Sequence, residues 1–194
     1  MEIPTRENTW DLLSEFVQSE NLIKHSLAVE AVMRKLARKY GEDEEKWGVV
    51  GLAHDIDYER HPEEHCTKVR EILEERQWPE EYIRAIQSHG YSRVNDIEPL
   101  SRMEKSLFAI DELTGLVTAT ALVRPSRSVL DLKAKSVKKK WKDKSFSAAV
   151  DRELIAAGAE RLGVEITELI TDTIEGMKTV AEELGLKGNP EEQV

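Results

Sequence analysis

The dominant feature of this chain is a helical spacing of apolar residues that recurs from end to end, without sustained alternation of apolar and polar residues. The clearest stripe contains Leu22, Val29, Val32, Met33, Leu36 and Tyr40. Residues three and four positions apart share one face of a helix, whereas a half-buried strand needs a period of two. The spacing therefore predicts an all-α fold and argues against a sheet.

Capping residues, glycines and prolines divide this pattern into separate helices. Ser19 and Asp43 suit helix starts, Gly41 suits a helix end, and Pro62 and Pro79 suit first turns. The tail at residues 188–192 is expected to fray. The predicted helices cover residues 8 or 9 to 17, 19 to 40, 43 to 55, 62 to 73, 79 to 89, 101 to 118, 131 to 141, 146 to 162 and 166 to 184.

Composition indicates a globular protein of the cell interior. The chain has 194 residues, of which 40% are hydrophobic and 34% are charged, as in water-soluble domains. The single cysteine, Cys66, excludes an intramolecular disulfide. Met1 is not followed by the basic and apolar segments of a signal peptide, and no apolar run approaches the ~20 residues of a membrane span. We therefore expect a cytoplasmic protein with no membrane partner.

The net charge of −10 is unevenly distributed. The basic segment, residues 124–144, has nine lysines and arginines against two aspartates, a local charge of +7, which leaves −17 for the remainder. An acidic body favours solubility and disfavours general binding to nucleic acid. Nucleic acid is therefore an unlikely partner for the chain as a whole.

Asp111 is an acidic residue on an apolar helix face. It follows Leu107 by four positions and Phe108 by three, so it lies on their side of the helix. A buried carboxylate costs several kcal/mol unless a cation or a proton neutralises it. Lys105 is the only basic side chain on that face in the neighbouring turns. A metal ion is therefore the favoured partner.

Two histidines join this aspartate as candidate metal ligands. His25 lies within the apolar stripe of the second helix, and His54 is followed at once by Asp55 where the third helix ends. A lone histidine on an apolar face is more often a hydrogen-bonded core residue than a ligand. The adjacent imidazole and carboxylate of the doublet are harder to explain in that way, because at a helix end both can converge on one cation.

The order of His25, the His54-Asp55 doublet and Asp111 on successive helices resembles the HD superfamily of metal-dependent phosphohydrolases. The similarity covers about residues 21–118 and implies a compact helical HD core. The remaining parts of a single domain spanning 1–194 would be the basic segment and C-terminal helices at about 146–184. The resemblance implies that these four residues bind a divalent ion. Nitrogen and oxygen donors without thiolate suit Mn, Fe, Co, Ni, Zn or Mg, and the sequence does not choose among them.

His65 and His89 are candidates for a second ion, because some HD families bind two, with the counterpart of Asp55 bridging them. The alternative is a pair of surface histidines at helix ends. The sequence departs from familiar HD variants in two places. Asp57 stands where His-Asp-Ile-Gly has glycine, and Gly90-Tyr91 is not followed by proline. The second departure argues against cyclic-dinucleotide hydrolysis.

Two acidic residues, Asp57 and Glu59, follow the doublet. They could support the metal ligands or carry protons. We expect them to be solvated loop carboxylates instead.

The basic segment offers candidates for binding phosphate. Lys135, Lys138 and Lys139 share one face of the predicted helix, where like charges repel unless an anion lies between them. The alternatives are a solvated face or a patch for RNA or DNA, although Trp141 is the only aromatic residue there for base stacking. We predict that these lysines bind the substrate phosphate.

These expectations combine into a metal-dependent phosphohydrolase that cleaves a phosphate ester or anhydride of a small, nucleotide-like substrate. His54 and Asp55 are expected to carry catalysis through the metal. One alternative is a regulatory HD module that senses a nucleotide without turning it over. Another is a structural metal site in an interaction protein. The sequence leaves a homo-oligomer possible.

Overall fold

The computed structural model describes residues 3–189 as a bundle of α-helices, which confirms the all-α prediction. No strand occurs in this range; its only β-type feature is an isolated bridge between Tyr91 and Asn95. The helices are α1 (Arg6–Phe16), α2 (Glu20–Tyr40), α3 (Glu44–Ala53), α4 (Lys68–Glu75), α5 (Glu80–Ser88), α6 (Arg102–Leu122), α7 (Ala134–Trp141), α8 (Arg152–Leu162) and α9 (Ile166–Lys178), with a short 3-10 helix at Pro62–Glu64.

Two long helices, α2 and α6, form the centre of the bundle. Helix α2 packs against α3, α6 and α9, and α6 packs against α5, α7, α8 and α9. Fully buried side chains from both helices, including Met33, Leu36, Leu107 and Leu113, belong to the hydrophobic core. The apolar stripes read from the sequence are thus the buried faces, and they bring α2, α3 and α6 close enough for their polar residues to meet.

Capping residues set the ends of the central helices as predicted. Gly41 follows α2 with φ of 70°, the left-handed conformation that glycine adopts without steric cost. The carboxylate of Asp43 accepts a hydrogen bond from the Lys46 N–H at the start of α3. Ser101 and Glu104 form a reciprocal capping box at the start of α6.

The predicted start of α1 was wrong by about three residues. Thr5, not Asn8 or Thr9, is the capping residue, and its hydroxyl accepts a hydrogen bond from the Asn8 N–H at 3.3 Å. The Thr9 hydroxyl donates instead to the Thr5 carbonyl at 2.7 Å, from a fully buried position. Both Thr5 and Thr9 are competent caps, and packing of the helix decides between them.

The predicted fourth helix is interrupted. The 3-10 helix at Pro62–Glu64 ends before His65, Cys66 has φ of 62°, and α4 begins only at Lys68. A positive φ in a residue other than glycine is uncommon and cannot continue a right-handed helix. His65 therefore lies in the break between the two helices, and its position is set by tertiary contacts.

Three more helices, α7, α8 and α9, are shorter than predicted. Helix α7 begins at Ala134 because Asp131 is held outside it by the Arg124 guanidinium, at 2.7 and 3.1 Å. Helix α8 begins at Arg152, whose guanidinium donates to carbonyl groups of the preceding turns and, at 3.0 Å, to that of Trp141 at the end of α7. Helix α9 ends at Lys178, and turns replace the predicted helix as far as residue 184.

The part of the chain that the structure describes includes no helix with both the length and the apolar character needed to cross a membrane. Within the tail, the Asn189 N–H donates to the Ser126 carbonyl at 2.8 Å, so the tail is held up to this point. The rest of the predicted frayed tail, from Pro190 onward, lies outside the described residues.

Candidate metal centre

Three helices bring four of the predicted ligands together. Helix α2 carries His25 in its second turn, His54 and Asp55 follow the last residue of α3, and Asp111 lies in the middle of α6. His54 is fully buried, whereas the other three side chains are 13–24% exposed. The group is thus recessed but reachable from solvent.

Four donor atoms face one another across the first cluster. The Nε2 atom of His25 lies 3.1 Å from Nε2 of His54 and 3.0 Å from Oδ1 of Asp111. Nε2 of His54 lies 3.3 Å from the same Asp111 oxygen. Oδ2 of Asp55 lies 3.6 and 3.4 Å from the two imidazole nitrogens. Donors bound to one ion at about 2.0–2.2 Å lie about 3.0–3.6 Å apart, so this cluster has the dimensions of a metal site.

A second cluster begins at the other oxygen of Asp55. Oδ1 lies 3.5 Å from Nε2 of His65 and 3.5 Å from Nε2 of His89, and these two nitrogens are 3.2 Å apart. Each oxygen of one carboxylate thus faces its own pair of imidazole nitrogens. Asp55 has the geometry of a bridge between two cation sites.

Backbone carbonyl groups orient the two most buried histidines. Nδ1–H of His54 donates to the Gly51 carbonyl at 2.8 Å, and Nδ1–H of His89 donates to the Ile86 carbonyl. A carbonyl group only accepts, so the proton of a neutral ring must lie on Nδ1. Nε2 of each ring is then left with its lone pair directed at the cluster, which is the tautomer a metal ligand needs.

Side chains orient the other two histidines, so that their Nε2 atoms also face the clusters. Nδ1 of His25 lies 3.3 Å from the Thr114 hydroxyl, which itself donates to the Asp111 carbonyl at 2.7 Å. Nδ1 of His65 lies 2.8 Å from Oδ1 of Asp57. All four imidazoles therefore present Nε2 to the clusters and use Nδ1 for support.

The expectation that Asp57 is a solvated loop carboxylate was wrong. Its side chain is fully buried, with one oxygen on His65 and the other accepting the Val69 N–H at 2.9 Å. Asp57 therefore positions His65 and ties the site to the start of α4. Glu59 does not join the site, because its carboxylate accepts the backbone N–H groups of Gln18 and Ser19 at 2.8 and 2.9 Å.

The carboxylates hold unusually stable negative charge. Burial acts to raise the pKa of Asp55, but the imidazoles of His54 and His89 outweigh it and hold that pKa well below its usual range. Burial opposes ionisation of Asp111 likewise, and hydrogen bonds from His25 and His54 lower its pKa. Among residues 3–189, the ion-pair partners of both carboxylates are histidines, with no lysine or arginine.

The pKa values of three histidines shift in the opposite direction, upwards. Burial acts to lower the pKa of His25, but Asp111 and Asp55 outweigh it and raise the pKa. Burial is likewise outweighed at His65, where the hydrogen bond to Asp57 raises the pKa to about 10. The pKa of His89 is raised as well, by Cys66 and Asp55 against burial. The carboxylates thus raise the affinity of these imidazoles for protons, and a divalent cation that binds their Nε2 atoms would compete with those protons.

The thiol of Cys66 lies beside the second cluster. Its sulfur is 3.6 Å from Nε2 of His89, and His65, Cys66 and His89 together form a group whose donor atoms could hold a metal ion. Cys66 was not predicted to join the site, because no second thiol accompanies it in the sequence. Its place near the site follows from the backbone break before α4.

A cavity of about 320 Å³ opens over the clusters. Besides five of the six predicted ligands, its lining includes Tyr58, Arg93 and Glu112. Arg93 forms an ion pair with Glu112 and is the basic side chain in this lining. Sequence reasoning missed Tyr58 and Arg93, and their only signal was that each follows a candidate ligand by three or four positions in a loop.

The structure does not bring the predicted lysines to this cavity. Lys135, Lys138 and Lys139 are exposed on α7, and Nζ of Lys138 donates to the Thr167 hydroxyl at 2.8 Å. None of the three lines the cavity over the clusters. Their binding of substrate phosphate stays a prediction, and Arg93 is the arginine that lines this cavity.

The HD domain family matches residues 22–116, which contain all six predicted ligands. Over this segment the chain belongs to the HD family, a class whose domains bind divalent metal ions. The resemblance expected from the four-residue motif is thereby confirmed. Searches of curated proteins and of solved structures give no significant match.

Proposed function

We propose that this protein is a metal-dependent phosphohydrolase that cleaves a phosphate ester or anhydride of a small, nucleotide-like molecule. One observation carries the proposal: the two oxygens of Asp55 face separate pairs of histidine nitrogens at 3.4–3.6 Å. Stably ionised carboxylates and correctly oriented imidazoles in an open cavity favour a catalytic site over a closed structural one. HD family membership supports the same reaction class.

The proposed ligands divide into two sets that share Asp55. His25, His54 and Asp111 complete the first site, and His65 and His89 complete the second. Ions bound there supply Lewis acidity and lower the pKa of water towards ~7. The donor set suits Mn, Fe, Co, Ni, Zn or Mg.

The chain's own groups have distinct tasks in this reaction. Arg93 lies in the cavity and can pair with phosphate oxygens, while Glu112 holds its guanidinium in place. Asp57 keeps His65 in position through the hydrogen bond at Nδ1. Tyr58 lines the same cavity, and its hydroxyl would be available to donate a hydrogen bond to the substrate. Hydrolysis joins the water oxygen to phosphorus, breaks the P–O ester bond, and returns a proton to the leaving oxygen.

Further proposals accompany this function. We propose that residues 1–194 fold as a single HD-type domain, since described helices from both ends contribute to one hydrophobic core. The protein would act in the cytoplasm on a small phosphorylated substrate, alone or as a homo-oligomer. Lys135, Lys138 and Lys139 would attract that substrate through their charge.

The test combines metal analysis with a substrate screen. The purified protein is analysed for bound metal, and phosphate release is measured with Mn²⁺, Co²⁺, Ni²⁺ and Mg²⁺ across phosphomonoesters, phosphodiesters and nucleotides. We expect one or two divalent ions per chain and metal-dependent turnover. His54→Ala should abolish turnover.

His61→Ala is the matched control, because His61 pairs with Glu64 at 3.8 Å and does not line the cavity. It should retain both metal and activity. Full activity in His54→Ala would overturn the proposal. A nucleotide that raises the melting temperature but is never hydrolysed would indicate the regulatory module instead.

A further inference from the structure

The basic segment contains a cluster of lysines that the described chain does not neutralise. This lysine surface consists of Lys133, Lys135, Lys138, Lys139, Lys140, Lys142 and Lys144. Within residues 3–189, none of them forms an ion pair. The other lysines of this range, Lys105 excepted, each pair with a carboxylate: Lys24, Lys35, Lys39, Lys46, Lys68, Lys178 and Lys187. The charge of the lysine surface is therefore available to a partner.

Helix α7 is anchored on its apolar side and carries its lysines outward. Val137 and the preceding Leu132 are buried, and Trp141 packs against the hydrophobic core. Lys135 and Lys139, one turn apart, are exposed. Like charges at this spacing repel one another and destabilise a helix. An anionic partner would offset that repulsion.

Exposed apolar side chains precede the lysine surface in the chain. Leu122 and Val123, at the end of α6, are 39% and 57% exposed, and Leu130 is 39% exposed. Single exposed apolar residues are common on proteins, whereas a group of them marks an interaction surface. We call these three residues the apolar flank.

Helix α9 and the turns after it bring the apolar flank and the lysines to one side of the molecule. Leu122 and Leu130 line cavities that are formed with the turns at residues 179–187. Nζ of Lys138 donates to the hydroxyl of Thr167, at the start of α9, at 2.8 Å. Helix α7 packs against α9 between these points. The partner surface thus combines positive charge with exposed apolar groups.

Arg127 adds a further cation beside the apolar flank. It is exposed, and within residues 3–189 its guanidinium forms no ion pair or hydrogen bond. It lines a cavity of about 500 Å³ together with Leu122 and Leu186. A cation and apolar walls therefore face the same space. A phospholipid surface presents the matching pair of groups, an anionic headgroup next to acyl chains.

The aromatic rings near the lysines are already occupied. Trp141 packs against the core, and the Lys140 ammonium lies 4.4 Å from the centroid of the Phe146 ring. Proteins that bind single-stranded nucleic acid combine positive charge with rings on which bases stack. Clustered lysines beside exposed apolar residues are instead typical of proteins that bind anionic lipids. These features favour a lipid surface over nucleic acid.

We infer that the lysine surface and the apolar flank bind the anionic phospholipid surface of a membrane. The lysines would contact the headgroups, while Leu122, Val123 and Leu130 would enter the interface between headgroups and acyl chains. Such a contact lies on the bilayer and requires no spanning helix. The expectation of no membrane partner considered only spanning and signal segments, and this inference replaces it. It does not depend on the proposed phosphohydrolase function.

Sedimentation with vesicles tests the inference on the full chain. Vesicles of phosphatidylcholine alone are compared with vesicles that also contain phosphatidylserine, both at low salt. We expect binding to the vesicles with phosphatidylserine and little binding to the others. Raising the salt to about 1 M, where the Debye length falls to about 3 Å, should release the protein.

A double variant tests the lysine surface. Each lysine near an anionic membrane contributes about fivefold to binding, so Lys135→Gln with Lys139→Gln should lower the partition coefficient about 25-fold. Lys46→Gln with Lys68→Gln is the matched control, because it removes the same charge from lysines that already pair with glutamates. The control should bind nearly as the parent protein does. Circular dichroism reports whether each variant is folded.

A single variant tests the apolar flank. Val123→Ser should weaken binding to phosphatidylserine vesicles about threefold or more, because it removes apolar area that would otherwise be buried in the interface. Leu100→Ser is the control, since Leu100 is 62% exposed but lies in the loop before α6. It should leave binding unchanged.

Two outcomes would overturn the inference. One is equal binding to both kinds of vesicle, or binding that the double lysine variant leaves unchanged. The other is salt-sensitive binding to polyadenylate without binding to phosphatidylserine vesicles, which would assign the lysine surface to RNA. None of these measurements involves turnover, so a failure of the proposed reaction would leave them intact.

Discussion

At the scale of single residues, the buried carboxylate of Asp57 decides how firmly the second cluster is held. Asp57→Asn keeps the size of the side chain but removes the negative charge of the carboxylate that contacts Nδ1 of His65. Removing such an outer partner lowers metal affinity about 10–100-fold, so we expect a loss of this size at the second site only. Metal titration with calorimetry measures it.

Glu59→Gln is the matched control for that experiment. It changes a nearby carboxylate that holds the start of α2 and does not contact the clusters. Metal affinity should be unchanged. Equal losses in the two variants would mean that Asp57 acts only through general stability or charge.

Proton release is a second prediction at this scale. The pKa of His65 is raised to about 10 because the Asp57 hydrogen bond outweighs burial. In the metal-free protein this ring is therefore protonated on both nitrogens and positively charged at neutral pH. A metal ligand must be neutral, and binding therefore expels the proton. Metal affinity should rise as pH rises from 6 to 8.

Calorimetry in buffers of different ionisation enthalpy counts the protons released. We expect at least one per chain on metal binding. An affinity that does not change with pH, with no proton released, would contradict the assignment of His65.

Only some residues of the candidate site could be predicted from the sequence. His25 and Asp111 stand out because helical periodicity places them on apolar faces, where a polar group needs a partner. Tyr58, Arg93 and the burial of Asp57 could not be read in this way. They lie in loops, and a loop's path depends on contacts with the rest of the molecule.

At the scale of helices, two glycines of similar appearance should respond in opposite ways to alanine. Gly115→Ala adds a methyl group in open space and removes a poor helix former, so the free energy of unfolding should rise by about 0.5–1 kcal/mol. Gly158→Ala forces α8 away from α6, because the new Cβ would lie 2.5 Å from Cα of Ala109.

Overpacking of this kind costs about 1–3 kcal/mol, so Gly158→Ala should lower the free energy of unfolding by that amount. Urea denaturation followed by circular dichroism measures both variants against the parent protein. Destabilisation by Gly115→Ala would contradict the open space around this glycine.

Helix boundaries were predictable where a local signal sets them. Gly41 and the Ser101 capping box fix the ends of α2 and α6 through short-range hydrogen bonds. The break at Cys66 and the late start of α8 carry no glycine or proline signal. The first accompanies the contact between His65 and Asp55, and the second accompanies the hydrogen bond from Arg152 to the Trp141 carbonyl. Both contacts join residues from different elements or loops, and helical periodicity does not reveal them.

At the scale of the whole molecule, the fold should not depend on the metal. The hydrophobic core is built from helices throughout the described chain, and the clusters lie at one side of it beneath an open cavity. Chelation should therefore leave a helical, folded protein with a lower melting temperature and no activity. Restored metal should restore turnover. Unfolding on chelation would identify a structural site instead.

The central claim, that Asp55 joins ion sites formed by these histidines and Asp111, can be tested directly by anomalous diffraction. Crystals grown with Mn²⁺ should show an anomalous peak about 2.0–2.2 Å from Nε2 of His25 and His54 and from the nearer oxygens of Asp55 and Asp111. A second peak is expected between Asp55, His65 and His89. The account would be contradicted by fully formed clusters with no anomalous peak at saturating Mn²⁺, or by peaks located only elsewhere.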